Sequence, residues 1–292
     1  LVQDPKTAAQ NFDNGKVDYA TINSTLVDKY KGKDTFTTFN EGFLFYLNLN
    51  FQVKTLADKN VREALSYAIN RKDLCESVLK DGSRAATGMV PSQLSKSPAG
   101  KDFRDDAGVL VGYDVKKAQE YLDAAKKELG TDTITVDLLY GTDESPMDTM
   151  AEYLQGSFSK LKGLKVNMVA TVKKDRIYNR EANGNFQVVC TRWGPDYADP
   201  TTYLNLALTD NSNNYGKYAN AKFDALMEQI QKESDLTKRW DLMIQAEKVM
   251  MEDMAYIPVF EKGAAALKAK NVKGLVVVPV GTPYTFKYVK LK

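Results

Sequence analysis

The feature that most limits what this chain can become is an alternation between residues 133 and 193. Thr133-Ile134-Thr135-Val136-Asp137-Leu138-Leu139-Tyr140 has the β-branched, apolar make-up of a strand. Met147 to Leu161 comes next, with Met150, Tyr153, Leu154 and Phe158 at helical spacing. Leu164 to Ala170 is strand-like again, Lys174 to Arg180 suits a short helix, and Phe186 to Cys190 is a short apolar run. Strand, helix, strand, helix, strand is the order of parallel strands joined by right-handed crossovers. The predicted fold class is therefore α/β, with a mainly parallel twisted sheet flanked by helices.

The flanks extend this pattern. Asp4 to Asn14 reads as a short helix ending at Gly15, and Val17 to Ile22 as a strand. Ser24 is a candidate cap for a helix to Tyr30. Residues 35–39 and 43–50 are two aromatic-rich, strand-like pieces. Val61, Leu65, Ala68 and Ile69 share one helical face, and Asp73 to Leu79 continues as helix. Residues 83–112 lack sustained periodicity and read as a long loop. Asp114 caps a helix that Gly130 ends. Ala221 to Gln231 and Asp235 to Met251 are helical. Ile257 to Phe260 and Ala264 to Leu267 are short extended pieces, and 275–279 and 286–289 are strand-like.

Composition excludes several chemistries. With 40 Lys and Arg against 38 Asp and Glu, the net charge of +2 gives no electrostatic footprint for nucleic acid, so no such partner is expected. There is no histidine, which removes the commonest general base, the usual metal ligand and every Ser-His or Cys-His nucleophile. No cofactor or metal is expected. The two cysteines, Cys75 and Cys190, sit in separate apolar segments and are expected to be buried, unpaired thiols. No stretch of eighteen apolar residues suggests a membrane span, and no segment reads as a signal peptide. The chain opens on Leu1, which fits a mature form or an excised piece.

The densest functional signal comes directly after the apolar run to Cys190. Arg192-Trp193-Gly194-Pro195-Asp196-Tyr197-Ala198-Asp199-Pro200 puts a carboxylate beside aromatic rings at a strand end. Open α/β sheets place ligands there. The competing reading is an ordinary turn, since Gly, Pro and Asp favour turns for local reasons. Asp199 before Pro200 suits a helix start. Asp196 with Asp199 could also serve as a hydrolase carboxylate pair.

Several stretches together resemble one family, the substrate-binding proteins of oligopeptide and dipeptide ABC transporters, extracellular solute-binding protein family 5. They are Asn11 to Tyr19, Phe45 to Asn50, Asn60-Val61-Arg62-Glu63-Ala64-Leu65-Ser66-Tyr67-Ala68-Ile69-Asn70-Arg71, Trp193 to Pro200, Asn211 to Asn214 and Ile257 to Phe260. The resemblance covers essentially the whole chain and matches the C-terminal portion of the family's mature chains. Two departures stand out. Some members carry an arginine where Cys190 stands, and Pro195 replaces a small residue.

The resemblance implies a lobe of the periplasmic-binding-protein (type II) kind in a two-lobed protein that closes on a short peptide. Residues 50–260 would form the second lobe, and 1–49 with 261–292 part of the first. The hinge would lie near 46–50 and 257–262. The implied ligand residues are Asp196, pairing with the peptide α-ammonium, with Trp193, Gly194, Tyr197, Arg192 and Asn214 around it. Arg62 and Arg71 would be structural partners of nearby acids. The implied setting is extracytoplasmic, lipid-anchored in the full-length protein, as a monomer that delivers peptide to a membrane permease without turning it over. The alternatives are a carbohydrate-active hydrolase, or another small solute such as nickel or a sugar on the same fold.

Overall fold

The computed structural model describes residues 4–281 and 284–291. Its centre is one seven-stranded sheet. The strands are β1 (Tyr19–Ile22), β2 (Phe36–Leu49), β3 (Arg84–Ala85), β4 (Ile134–Gly141), β5 (Leu164–Thr171), β6 (Val188–Trp193) and β7 (Tyr256–Lys268). They lie in the order β1-β7-β2-β6-β4-β5, with β3 also on β7. The expected parallel part is present: β4 pairs with β5 and with β6 in parallel register. The rest of the sheet is antiparallel, because β2 and β7 run past each other and β2 runs against β6. The sheet as a whole is therefore mixed, and its parallel part is confined to the stretch that showed βαβ alternation.

β2 and β7 replace four pieces expected separately. Residues 35–39 and 43–50 join into one 14-residue strand, and 257–260 and 264–267 into one of 13. The break that the sequence suggests in β2 is a bulge. Pairing jumps from Asn40↔Gly263 to Leu44↔Glu261, so Glu41 to Phe43 leave the ladder. Gly42 turns there with φ 82°, and a Cβ on it would stand 1.8 Å from the Pro279 carbonyl oxygen.

The helices bury their apolar faces in the core, Met147–Phe158 directly against β4, β5 and β6 and Lys59–Tyr67 mainly against Val115–Leu129. Lys59–Tyr67 is capped by the Asp58 side chain and buries Val61, Ala64 and Leu65. Val115–Leu129 runs from the Asp114 cap to Gly130, which takes a left-handed conformation. Met147–Phe158 buries Met150, Leu154 and Phe158. Leu236–Glu252, capped by Asp235, buries Trp240, Met243 and Met250. Leu74–Leu79 and Arg176–Glu181 wind as π-helical turns.

Smaller expectations are corrected. The helix to Tyr30 starts at Ser24 but its cap position is Asn23. The expected loop 83–112 holds β3 and a short helix, Phe103–Ala107, whose five residues are too few to show a period. The tail forms only two-residue strands, and Lys287 and Tyr288 lie in a turn. Arg62 and Arg71 are structural, but their partners are carbonyls rather than acids. Arg62 donates to Leu56, Ala57 and Asp253, and Arg71 to Pro258, Ser66 and Gly112. A guanidinium carries five donors and can close several chain ends at once.

Both cysteines are free and buried, as expected. Burial pushes the Cys75 thiol up to about 12 and raises Cys190 as well. Apolar side chains form a large core around the sheet and a separate cluster of Ala9, Ile22, Val27, Tyr30, Ala265 and Leu267. The two cores divide along β2 and β7 close to the bulge.

Candidate functional site

The three parallel strands end on the same side, and residues at or just beyond those ends meet in one cavity of about 240 Å³. Glu144 lies beyond β4, Lys173 beyond β5, and Arg192 and Trp193 close β6. The lining continues on β2, the strand paired beside β6, with Phe43, Tyr46 and Asn48. This is where an α/β sheet offers space, since helices cover its faces and leave the strand ends open.

A buried ionic group forms the floor. Arg176 is 2% exposed and its guanidinium links three elements. Nε and Nη2 donate to Glu144 Oε2 at 3.0 and 2.7 Å, and Nη1 donates to Glu181 and, at 2.9 Å, to Thr191 Oγ1. Burial pushes the Glu181 carboxyl up to about 7, against the pull of Arg176, and the charge of Glu144 adds to the rise. Two carboxylates around one guanidinium leave an excess negative charge. Lys173 Nζ and Arg192 Nε stand above it, 3.7 and 3.9 Å from Glu144 Oε1.

Three buried polar atoms of this lining have no hydrogen-bond partner among the described residues: Glu144 Oε1, Asn48 Oδ1 and Trp193 Nε1. Asn48 Oδ1 lies against the chain at Gly216, where a Cβ would stand 2.8 Å away. Unpaired buried groups are rare in folded proteins and gather where water or ligand completes them.

The predicted ligand residues separate into two groups. Arg192 and Trp193 line the cavity. Both belong to β6, which runs three residues past the Cys190 end of its apolar run because β2 continues to pair with it: Phe45 faces Arg192 and Leu44 faces Trp193. The Arg192 guanidinium lies 4.7 Å from the Phe43 ring centre. Gly194 is required by the same ring, since a Cβ there would stand 2.5 Å from it.

Asp196 and Tyr197 lie outside the cavity lining, on the exposed loop beyond Gly194. The Asp196 N–H donates to Thr202 Oγ1 at 3.1 Å, and no hydrogen bond or ion pair among the described residues occupies its carboxylate. The cap position of the next helix, Thr201–Leu204, is Pro200 rather than Asp199, which stands one residue earlier and accepts from the Thr201 N–H at 3.0 Å. Arg239 holds it from two nitrogens at 2.7 and 3.1 Å. Although partial burial pushes Asp199 up, the bonds from Arg239 and Thr201 outweigh it and bring the carboxyl below its usual range. A carboxylate held in this way is a poor proton donor, so Asp199 is unsuited to the acid role in a hydrolase pair.

Asn214 is a correction. It is 1% exposed, and its amide is used within its own loop, donating to Leu208 and Tyr218 carbonyls and accepting from the Tyr218 N–H. Its neighbours Asn213 and Tyr215 line the cavity instead. Sequence reasoning missed Glu144, Lys173, Arg176 and Glu181. A signal for two of them existed, because Glu144 and Lys173 lie just past the carboxyl ends of expected parallel strands. Arg176 and Glu181 sit on a π-helical turn with no periodic trace.

The profile of the bacterial extracellular solute-binding proteins, family 5 Middle, matches residues 1–215. The chain belongs to this family. It is 30% identical to a dipeptide-binding protein of Lactococcus lactis subsp. cremoris (strain MG1363), covering all of this chain and 55% of that protein. It is 28% identical to the dipeptide-binding protein DppE of Bacillus subtilis (strain 168), over 96% of this chain and 51% of that one. Among solved structures, the substrate-binding domain of an oligopeptide ABC transporter from Bacillus anthracis str. Ames superposes with a TM-score of 0.84 at 31% identity, over 99% of this chain and 57% of that one. Listeria monocytogenes OppA bound to peptide gives 0.82 at 31% identity, over 100% and 57%. The chain thus spans about half the length of the curated relatives it matches, and its fold is that of a type II solute-binding lobe. No helix among the described residues is long and apolar enough to cross a membrane.

Proposed function

We propose that this chain is the peptide-holding part of an extracytoplasmic receptor that delivers short peptides to the permease of an ABC importer. The observation that carries it is the cavity at the ends of β4, β5 and β6, with Trp193 and Arg192 in its wall and unpaired polar atoms beneath. The family membership and the peptide-binding names of the relatives support the ligand class. Asp196 anchors the peptide α-ammonium. Its carboxylate is exposed and unclaimed, so it can form charge-assisted hydrogen bonds once a ligand covers it. Backbone groups around Gly194 pair with the extended peptide, and Tyr197 borders it.

Residues 50–260 act as one lobe, and 1–49 with 261–292 belong to the other. The separate small core of Ala9, Ile22, Val27 and Tyr30 supports this division. The paired strands β2 and β7 pass between the lobes and carry the hinge. The receptor works as a monomer, lipid-anchored outside the cell membrane, and does not turn its ligand over.

One experiment separates carrier from hydrolase. Full-length protein is titrated calorimetrically with mixed short peptides, and the bound fraction is recovered by mass spectrometry. Intact peptides with saturable binding are expected. Cleaved products, or binding of sugars in preference to every peptide, would overturn the reading.

A further inference from the structure

A second cavity, of about 270 Å³, shares no lining residue with the one beyond the strand ends. Three segments enclose it. The helix Lys59–Tyr67 contributes Glu63, Ser66 and Tyr67, which stand three and four positions apart and so share one face. The helix Leu236–Glu252 contributes Lys248, Met251 and Glu252 at the same spacing, and Met254 follows it. Leu110, Val111 and Gly112 close the third side, with Gly112 so near the Tyr67 ring that a Cβ on it would stand 3.0 Å away.

Glu63 is the unusual member of this lining. It is 9% exposed, and no hydrogen bond or ion pair among the described residues occupies its carboxylate. Its neighbour Arg62 turns its guanidinium to the carbonyls of Leu56, Ala57 and Asp253. Lys117 gives its ammonium to the Tyr67 hydroxyl, and Lys59 is exposed. Burial outweighs these three cations and pushes the Glu63 carboxyl up. A carboxylate taken out of water is costly until a cation and its hydrogen bonds reach it.

The surroundings favour a cation that is organic. Tyr67 and Glu252 are the last residues of their helices, so two helix C-termini border the cavity. That end of a helix carries the negative pole of its dipole. Glu252 and Lys248 are exposed and of opposite sign, which leaves the buried Glu63 to set the net charge. Leu110, Val111, Met251 and Met254 supply aliphatic and thioether surface, which adapts to an irregular apolar guest. A hard metal ion needs several oxygen ligands, and no group of three or more His, Cys, Asp or Glu among the described residues could hold one.

We propose that this cavity is a second ligand site, for a small primary amine. The ammonium pairs with Glu63, and the apolar stem lies on Met251, Met254, Leu110 and Val111. The volume suits a small guest, since drug-sized ligands occupy roughly 300–1,000 Å³ and benzene fits an apolar cavity of about 150 Å³. A stem of about six carbons therefore fits with room for the ammonium. The site is independent of the peptide reading.

The test keeps the two sites apart. Full-length protein is saturated with a short peptide, so that the amine cannot enter the peptide site, and n-hexylamine is titrated at pH 7 by calorimetry. Saturable binding is expected. 1-Hexanol has the stem without the charge, and methylamine the charge without the stem. Each should bind roughly tenfold more weakly or worse, equivalent to about 1.4 kcal/mol. Glu63→Gln keeps the shape and removes the charge, so hexylamine should fall to the level of hexanol while peptide affinity stays at the wild-type value. The urea midpoint of Glu63→Gln should not drop, because no bond is lost. Equal binding of hexylamine and hexanol, hexylamine binding that survives Glu63→Gln, or displacement of hexylamine by added peptide would overturn the proposal and leave the peptide reading intact. A lowered urea midpoint would overturn it as well, by showing Glu63 to be a structural partner. If no peptide binds, the peptide reading fails alone, and the same titrations in the free protein decide the amine site.

Discussion

β6 leads from one kind of charge to another within a few residues. Behind it, Glu144, Arg176 and Glu181 are each less than a tenth exposed, and Arg176 donates to both carboxylates. Beyond it, Asp196 is exposed with its carboxylate unclaimed, and Asp199 pairs with Arg239 at the surface. The floor is organised before any ligand arrives, and its charges are costly to disturb because each was taken out of water. The loop is solvated, so its charges cost little while free and gain only when a partner covers them. The fold therefore depends on the first region, and the proposed recognition rests on the second.

The sharpest way to break this contrast is to remove the guanidinium from the floor. Arg176→Met leaves two buried carboxylates without their shared partner. Breaking a buried pair from one side typically costs about 3–5 kcal/mol. Urea unfolding should show a midpoint far below wild type. An unchanged midpoint would mean that the floor is wetter and less important than its burial indicates.

Asp196→Asn should do the reverse, sparing the fold and weakening the ligand. Truncating one partner of a buried charge pair costs about 2–5 kcal/mol of binding, roughly thirtyfold or more. N-acetylated peptides should bind wild type poorly and lose little more on mutation. Equal binding of acetylated and free peptides to the full-length wild type would show that Asp196 is only a turn residue.

The third test concerns pH. Glu181 titrates at about 7 in the folded chain against 4.5 for an ordinary glutamate, so between those values the folded state holds more protons than the unfolded one. Its contribution is fully present below about 4.5 and is lost as pH rises through about 7. The stability difference between wild type and Glu181→Gln should therefore shift by on the order of 1–3 kcal/mol between pH 5 and 8, with wild type losing ground at the alkaline end. Denaturant curves at both pH values measure it, and a constant difference would place Glu181 in an ordinary solvated range.

The two regions also differ in how far the sequence revealed them. Trp193, Gly194 and Asp196 announce themselves through turn chemistry packed into a few consecutive residues, and the parallel strands through their period. The floor is assembled from residues 32, 5 and 15 positions apart, across a π-helical turn and two strand ends, and no local pattern marks such a meeting. β2 and β7 were legible as apolar pieces but not as continuous strands, because the bulge at Glu41–Phe43 interrupts the alternation that identifies a strand. Asn214 failed for the opposite reason. A polar loop looks the same whether its amides face a ligand or their own backbone, and only the bonds to Leu208 and Tyr218 decide it.

The smallest expected effect completes the comparison. Arg239 and Asp199 form a two-point pair with nitrogen–oxygen distances of 2.7 and 3.1 Å, geometry as good as that of the Arg176 group. What differs is solvent, since these side chains are 25% and 28% exposed against 2% and 4% for Arg176 and Glu144. Water already stabilises both ions when they are apart, so the pair adds little, typically about 0–1 kcal/mol. Asp199 also keeps its bonds from Thr201 when the arginine is gone, so the chain entering the helix stays anchored. Arg239→Ala should therefore lower the urea midpoint only slightly, and salt should reduce even that difference, because exposed pairs are screened. If Arg239→Ala instead cost as much as Arg176→Met, burial would not be what separates the two regions. The geometry of the hydrogen bonds would have to carry the difference.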